Sequence, residues 1–99
     1  MLAQVLLRQG EVEEAIAHFR QVIELRPELA VAHTQLGQAY TTQGNFESAV
    51  EELRRSVKLA PNDPDAHFSL ATAYSRLGRK EDAARERDEF KRLEHLGGK

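Results

Sequence analysis

Ninety-nine residues suffice for one hydrophobic core, and a chain of this length buries about two-thirds of the surface its unfolded form exposes. With 40% hydrophobic and 30% charged residues, and 14 Lys+Arg against 16 Asp+Glu, the composition has neither the low hydrophobicity of a disordered chain nor the basic excess of a nucleic-acid binder. The lack of cysteine excludes disulfides, thiolate nucleophiles and Cys-ligated metal, and no apolar run approaches the roughly 20 residues of a membrane helix or the order of a signal peptide.

Taken in chain order, the apolar residues recur with a helical period. Helices are expected over 1–9 and 12–25, separated at Gly10. Pro27 ends that pair, because proline disfavours helical backbone in the residue before it and has no N–H to donate. In the third helix, 29–43, His33, Leu36, Gly37 and Tyr40 follow i, i+3, i+4, i+7 and so form one stripe. Gly44 sits just past the last periodic residue, where a left-handed C-terminal cap is needed, and Asn45 supplies a side-chain cap to a helix over 46–59. Its stripe is Ala49, Leu53 and Val57. After Pro61, Asn62 or Asp63 can cap a helix over 64–77 with Pro64 in its first turn, and Gly78 precedes a last helix from 80 to about 95. No segment alternates with the period of a strand.

The chain repeats itself at a shift of 34 residues. Gly10, Gly44 and Gly78 fall in one register, as do Ala15, Ala49 and Ala83, and Leu25, Leu59 and Leu93. Pro27 matches Pro61, His33 matches His67, Leu36 matches Leu70, and Tyr40 matches Tyr74. A fixed period between about 20 and 50 residues signals a stacked-repeat architecture.

The pattern Leu36-Gly37, Tyr40, Gly44, Ala49, Leu53 and Pro61 resembles a complete tetratricopeptide (TPR) unit, and Leu70-Ala71, Tyr74, Gly78 and Ala83 resemble a second. The resemblance implies an all-α, right-handed α-solenoid of stacked antiparallel helix pairs, a TPR-like superhelix whose A helices line a concave face that commonly holds a peptide or partner protein. One domain is expected over 1–96, with repeats at about 1–29, 30–63 and 64–96 and a flexible tail at 97–99. The first copy begins partway through its helix A, so the chain is expected to be a segment of a longer protein. The third copy has Arg87 where Phe19 and Leu53 stand in the others, and His95 in place of the terminal proline. Arginine there suits the end of an array, where no further helix covers that side.

The residues argue against chemistry. Neighbouring packed helices lie about 8–10 Å apart, whereas two nitrogens bound to one zinc at about 2.1 Å lie within roughly 4 Å of each other, so His33 and His67 are read as partnered core histidines and not as metal ligands. The acidic groups Glu11, Glu13 and Glu14, then Glu47, Glu51 and Glu52, then Glu81 and Asp82, lie in or near the first turns of B helices, where carboxylates meet the positive end of the helix dipole. No enzyme, metal or cofactor is expected. In the last helix, Glu81 with Arg85 and Asp88 with Arg92 are spaced for i, i+4 pairs of about 0.2–0.5 kcal/mol each. Acids and bases nearly cancel there, which favours a solvated face over a nucleic-acid surface.

On helix 29–43, Val31, Thr34, Gln38 and Thr41 make a second stripe roughly 120° from the core stripe. The third copy repeats it with Asp65, Phe68, Thr72 and Ser75, and the first copy offers Gln4 and Leu7. By resemblance, this stripe is the concave, partner-binding face. TPR domains that grip the C-terminal carboxylates of heat-shock chaperones use lysine, arginine and asparagine there. This chain has Gln4, Gln35, Gln38, Asp65 and Ser69 at those places, so the basic clamp is absent. The expected function is a non-catalytic protein–protein interaction module that binds a peptide or partner protein, with no nucleic-acid or membrane partner. The alternatives are a self-assembling repeat segment that dimerises through an array end, or the recognition segment of a larger enzyme such as a TPR-bearing glycosyltransferase. The cytoplasm is the default location.

Overall fold

A computed structural model of the protein describes residues 9–97. Five α-helices follow one another there: α1 (Gln9–Leu25), α2 (Ala30–Gln43), α3 (Phe46–Leu59), α4 (Pro64–Arg76) and α5 (Lys80–Gly97). No described residue lies in a strand, and the chain is an all-α helical-repeat solenoid. Each helix packs on the next in sequence. In addition α2 touches α4, whereas among the described residues α1 does not reach α3 and α3 does not reach α5, so the stack is tighter on its α2/α4 side.

The turns follow from their residues. Gly44 ends α2 at φ 91°, with its own N–H donating to the Thr41 carbonyl and the Asn45 N–H to that of Tyr40. Gly78 does the same after α4 at φ 81°, its N–H reaching Ser75 and the Arg79 N–H reaching Tyr74. Asn45 Oδ1 accepts from the Ser48 N–H at the start of α3, and Asp63 Oδ1 from the Asp65 N–H at the start of α4, whose first residue is Pro64. These bonds satisfy groups that helix ends would otherwise leave unpaired.

Gly10 departs from the expected pattern. It lies inside α1, and only Gly44 and Gly78 have positive φ among the described residues. The break expected between 1–9 and 12–25 is therefore absent at Gly10, because glycine permits a left-handed turn without requiring one. The rest of the expected 1–9 helix lies outside the described residues.

The core is built from Ala49, Val50 and Leu53 of α3, Leu70, Ala73 and Tyr74 of α4, and Ala83 of α5, with Tyr40, Val57 and Leu77 packed against it. Gly37 exists for Leu53: a Cβ on Gly37 would stand 2.8 Å from Leu53 Cδ2 and nearer still to Cγ. In the next repeat the same two registers hold Ala71 and Arg87. Alanine fits there because Arg87 is exposed and carries its guanidinium to the Ser75 hydroxyl.

On α5 the expected i, i+4 ion pairs are replaced by i, i+3 pairs. Asp82 meets Arg85 and also Arg79, which stands just before the helix, and Glu89 meets Arg92. Residues three apart are helix neighbours as much as those four apart, and these arginines select the nearer acid.

Candidate partner-binding face

The second stripe divides on folding. Gln38, Thr41, Phe68 and Thr72 come together with Thr42 and Ser69 around a cleft of about 280 Å³ between α2 and α4. Val31, Asp65 and Ser75 are exposed but lie outside its lining. Gln4 and Leu7 lie outside the described residues.

Thr34 is the correction. It was expected to face solvent, yet it is only 5% exposed, and its hydroxyl is hydrogen-bonded to that of fully buried Ser56 on α3. A helical wheel gives the angle of a side chain but not the reach of the neighbouring helix, and here α3 covers Thr34 while Val31, one turn before it, stays exposed. One repeat later the same two registers hold Phe68 and Phe90, whose ring centroids lie 5.2 Å apart at 47°. Two hydroxyls in the interior thus become two aromatic rings in the last repeat, and Phe68 is left 53% exposed.

The polar chemistry of the cleft is directional. The hydroxyls of Thr41, Thr42 and Thr72 donate to the carbonyls of Gly37, Gln38 and Phe68, each four residues back on its own helix. Gln38 Nε2 donates to Ser69 Oγ at 2.9 Å, which ties α2 to α4 across the cleft floor. Thr42 and Phe90 are not marked by the sequence, since one stands one position off the stripe and the other on the second helix of its pair, and Ser69 is marked only as a place where the basic clamp is absent.

Behind this face lie two matching clamps. His33 Nδ1 meets Glu52 Oε1 at 2.9 Å and its Nε2 donates to the Pro27 carbonyl at 2.9 Å. His67 meets Glu86 at 2.6 Å and the Pro61 carbonyl at 2.7 Å. Each clamp joins an inter-repeat loop, an A helix and a B helix, and both histidines are buried, at 3% and 5% exposure. The expectation of partnered core histidines holds for both. His67, which faces a carbonyl at one nitrogen and a carboxylate at the other, is best matched as imidazolium, which donates to both. At His67 burial acts to lower the pKa, but the bonds to Glu86 and Pro61 and the charges of Glu86 and Glu89 outweigh it and raise the group above its usual 6.5. Glu52 and Glu86 were missed as inward-facing groups. Their recurrence at the same 34-residue shift as the histidines was the available signal.

A larger hollow of about 380 Å³ lies on α3, lined only by Glu51, Arg54, Arg55 and Lys58. These are side chains of a single helix on the side away from its buried residues, with no second element to fix their positions, so the cleft at Phe68 is the better-built feature. Among the described residues no group of three or more His, Cys, Asp or Glu side chains is placed to hold a metal ion.

Paired helices, left-handed glycine turns and a polar cleft on the tight side of the stack define a helical-repeat scaffold of the protein-interaction class. A family model described as "Tetratricopeptide repeat" matches residues 1–64 and again 34–87, and the chain belongs to that family, with about three repeats. No curated protein matches the chain. Among solved structures, "Crystal structure of MamA" is similar with a TM-score of 0.84 at 24% identity, over 89% of this chain and 52% of that one. "First TPR of Spaghetti (RPAP3) bound to HSP90 peptide SRMEEVD" is similar with a TM-score of 0.84 at 24% identity, over 89% of this chain and 70% of that one. The second TPR of the same protein, bound to the same peptide, gives 0.83 at 21% over 88% and 81%. These likenesses concern the fold, and the chain spans about half the length of the MamA chain, 52%.

Proposed function

We propose that the protein is a non-catalytic interaction module that binds a peptide or a segment of a partner protein along the α2/α4 face, with Phe68 as its central contact. The observation that carries this reading is a half-exposed aromatic ring at the edge of a cleft whose remaining lining is polar and uncharged. Such a ring gives a large rigid contact area, and aromatic anchors dominate the energetics of many interfaces. The RPAP3 domains carry a bound peptide with three acidic residues in its sequence, SRMEEVD. This chain has no lysine or arginine in its cleft lining, so its ligand differs in chemistry from that peptide.

The test is a displayed random-peptide library panned against the protein, with affinities of the selected peptides then measured for Phe68→Ala, Gln38→Ala and Arg54→Ala. The reading expects losses for the first two and none for the third, which lies on the opposite side of α3. Equal affinity across all three variants would remove it.

The second reading, self-association through the last repeat, is favoured by the Phe68–Phe90 ring pair, which is partly open to solvent where the equivalent Thr34–Ser56 pair is buried. Light scattering across a concentration series, on the parent and on Phe90→Ser, separates it from the first. A constant monomeric mass for the parent would exclude self-association.

A further inference from the structure

Building on the groove assignment above, we propose that the cleft beside Phe68 receives a cationic side chain, an arginine or lysine of the partner peptide. The first ground is the balance of hydrogen-bonding groups. A hydroxyl has one donor and two acceptor lone pairs. The three threonine hydroxyls of the cleft have all spent their donors on carbonyls of their own helices, at 2.9, 3.1 and 3.2 Å. One N–H of Gln38 is spent on Ser69. What faces the cleft is therefore a set of oxygen lone pairs, on Thr41, Thr42, Thr72 and Gln38, against two remaining donors, one N–H of Gln38 and the hydroxyl of Ser69. A ligand rich in N–H donors satisfies this lining, whereas a carboxylate or phosphate does not.

Charge gives the second ground. None of the six lining residues is charged. His67, next to Phe68, is buried and paired with Glu86; the nearest exposed formal charge on α4 is Asp65, one turn before Phe68 and Ser69, which is in no ion pair among the described residues. Two arginines nearby, Arg87 held at Ser75 and Arg76 over the Phe46 ring, both lie outside the lining. The third ground is the ring itself. Phe90 supports Phe68 from one side, and the exposed remainder offers the negative face of its π-system, over which a guanidinium or ammonium is attracted. The aliphatic stem of such a side chain can lie along apolar surface while its head reaches the oxygens. A volume of about 280 Å³ suits one long side chain and falls just below the usual range for a whole small-molecule ligand.

The test uses the 99-residue chain, isotopically labelled, and four acetylated and amidated pentapeptides of glycine with arginine, citrulline, leucine or glutamate at the centre. Citrulline keeps the shape of arginine without its charge. Nuclear magnetic resonance titration is expected to shift the amides of Gln38, Thr41, Phe68, Ser69 and Thr72 with the arginine peptide, at several-fold higher affinity than with citrulline. Phe68→Leu keeps the apolar bulk and should weaken arginine binding about two- to fivefold. Asp65→Asn should weaken it about twofold and reduce its dependence on salt. If citrulline, leucine or glutamate binds at those amides as tightly as arginine, the cationic assignment is overturned while the groove assignment stands. If no probe moves those amides, the cationic assignment is likewise overturned. The groove assignment is then judged separately by the library-selected peptide and Phe68→Ala.

Discussion

Arg55 and Glu89 occupy the same position in successive repeats with opposite charge, each three residues beyond the carboxylate that clamps its repeat's histidine. Arg55 lies 3.4 Å from the second oxygen of Glu52 and shares the carboxylate that holds His33. Glu89 instead adds a second negative charge near His67, while its own pKa is lowered by the hydrogen bond from Arg92. Two clamps of identical covalent design thus sit among different charges, and at His67 the neighbouring acids help hold the proton.

That difference predicts a pH dependence of stability. The charged groups facing His67 are Glu86 and Glu89, both on α5, and its folded-state pKa lies above the ordinary 6.5. The folded chain therefore retains a proton that the unfolded chain releases first, so the clamp's contribution is complete below about pH 6.5 and is lost as pH rises through the folded value. The urea midpoint should fall between about pH 6 and pH 9, and fall less in His67→Gln. An equal slope in parent and variant would contradict the clamp. Glu86→Ala should cost about 1–3 kcal/mol at neutral pH, because buried His67 Nδ1 loses its partner.

Gly37 and Leu53 predict a non-additive pair. Gly37→Ala forces a methyl into Leu53 and should destabilise by about 1–3 kcal/mol. Leu53→Ala should cost about 2–5 kcal/mol through the cavity it leaves. The double variant should cost less than the sum, since the new methyl fills part of that cavity. Denaturation midpoints of the three variants measure the coupling, and strict additivity would show that the two side chains do not share the space.

The three glycines in one register should respond differently to alanine. Gly44→Ala and Gly78→Ala place a Cβ at φ 91° and 81° and should each cost about 1–2 kcal/mol. Gly10→Ala lies in a helix with nothing within 4 Å of the new Cβ, and should stabilise by about 0.5–1 kcal/mol. Thermal melts that show Gly10→Ala as damaging as Gly44→Ala would place a turn at Gly10 after all.

On the proposed binding face, Phe68→Ala should lower the affinity of a selected peptide by about 1–3 kcal/mol, with an unchanged helical circular dichroism spectrum because the ring is half exposed. Arg54→Ala is the matched control. Arg87 does not serve as one, since its guanidinium reaches Ser75 on the face itself. Isothermal titration of both variants against the same peptide checks the contrast.

The architecture was legible because it is encoded locally and several times over. The glycine-then-asparagine turn, the proline-ended pairs and the 3.6-residue stripes state the same 34-residue unit independently, and α2 to α5 begin and end within about two residues of the positions those signals mark. Gln38, Thr41, Phe68 and Thr72 were legible for the same reason, since a helical wheel assigns angles. What needed the tertiary structure is whatever depends on the distance between helices. Thr34 has the angle of a surface residue and is buried because α3 lies over it, whereas Phe68, its counterpart one repeat on, stays open. Glu52 and Glu86 resemble solvated acids along their own helices and turn inward only because a histidine nineteen residues away arrives at hydrogen-bonding distance. Gly10 carries the same letter as Gly44 and Gly78, yet a glycine's freedom becomes a turn only where the packing of the next helix demands one.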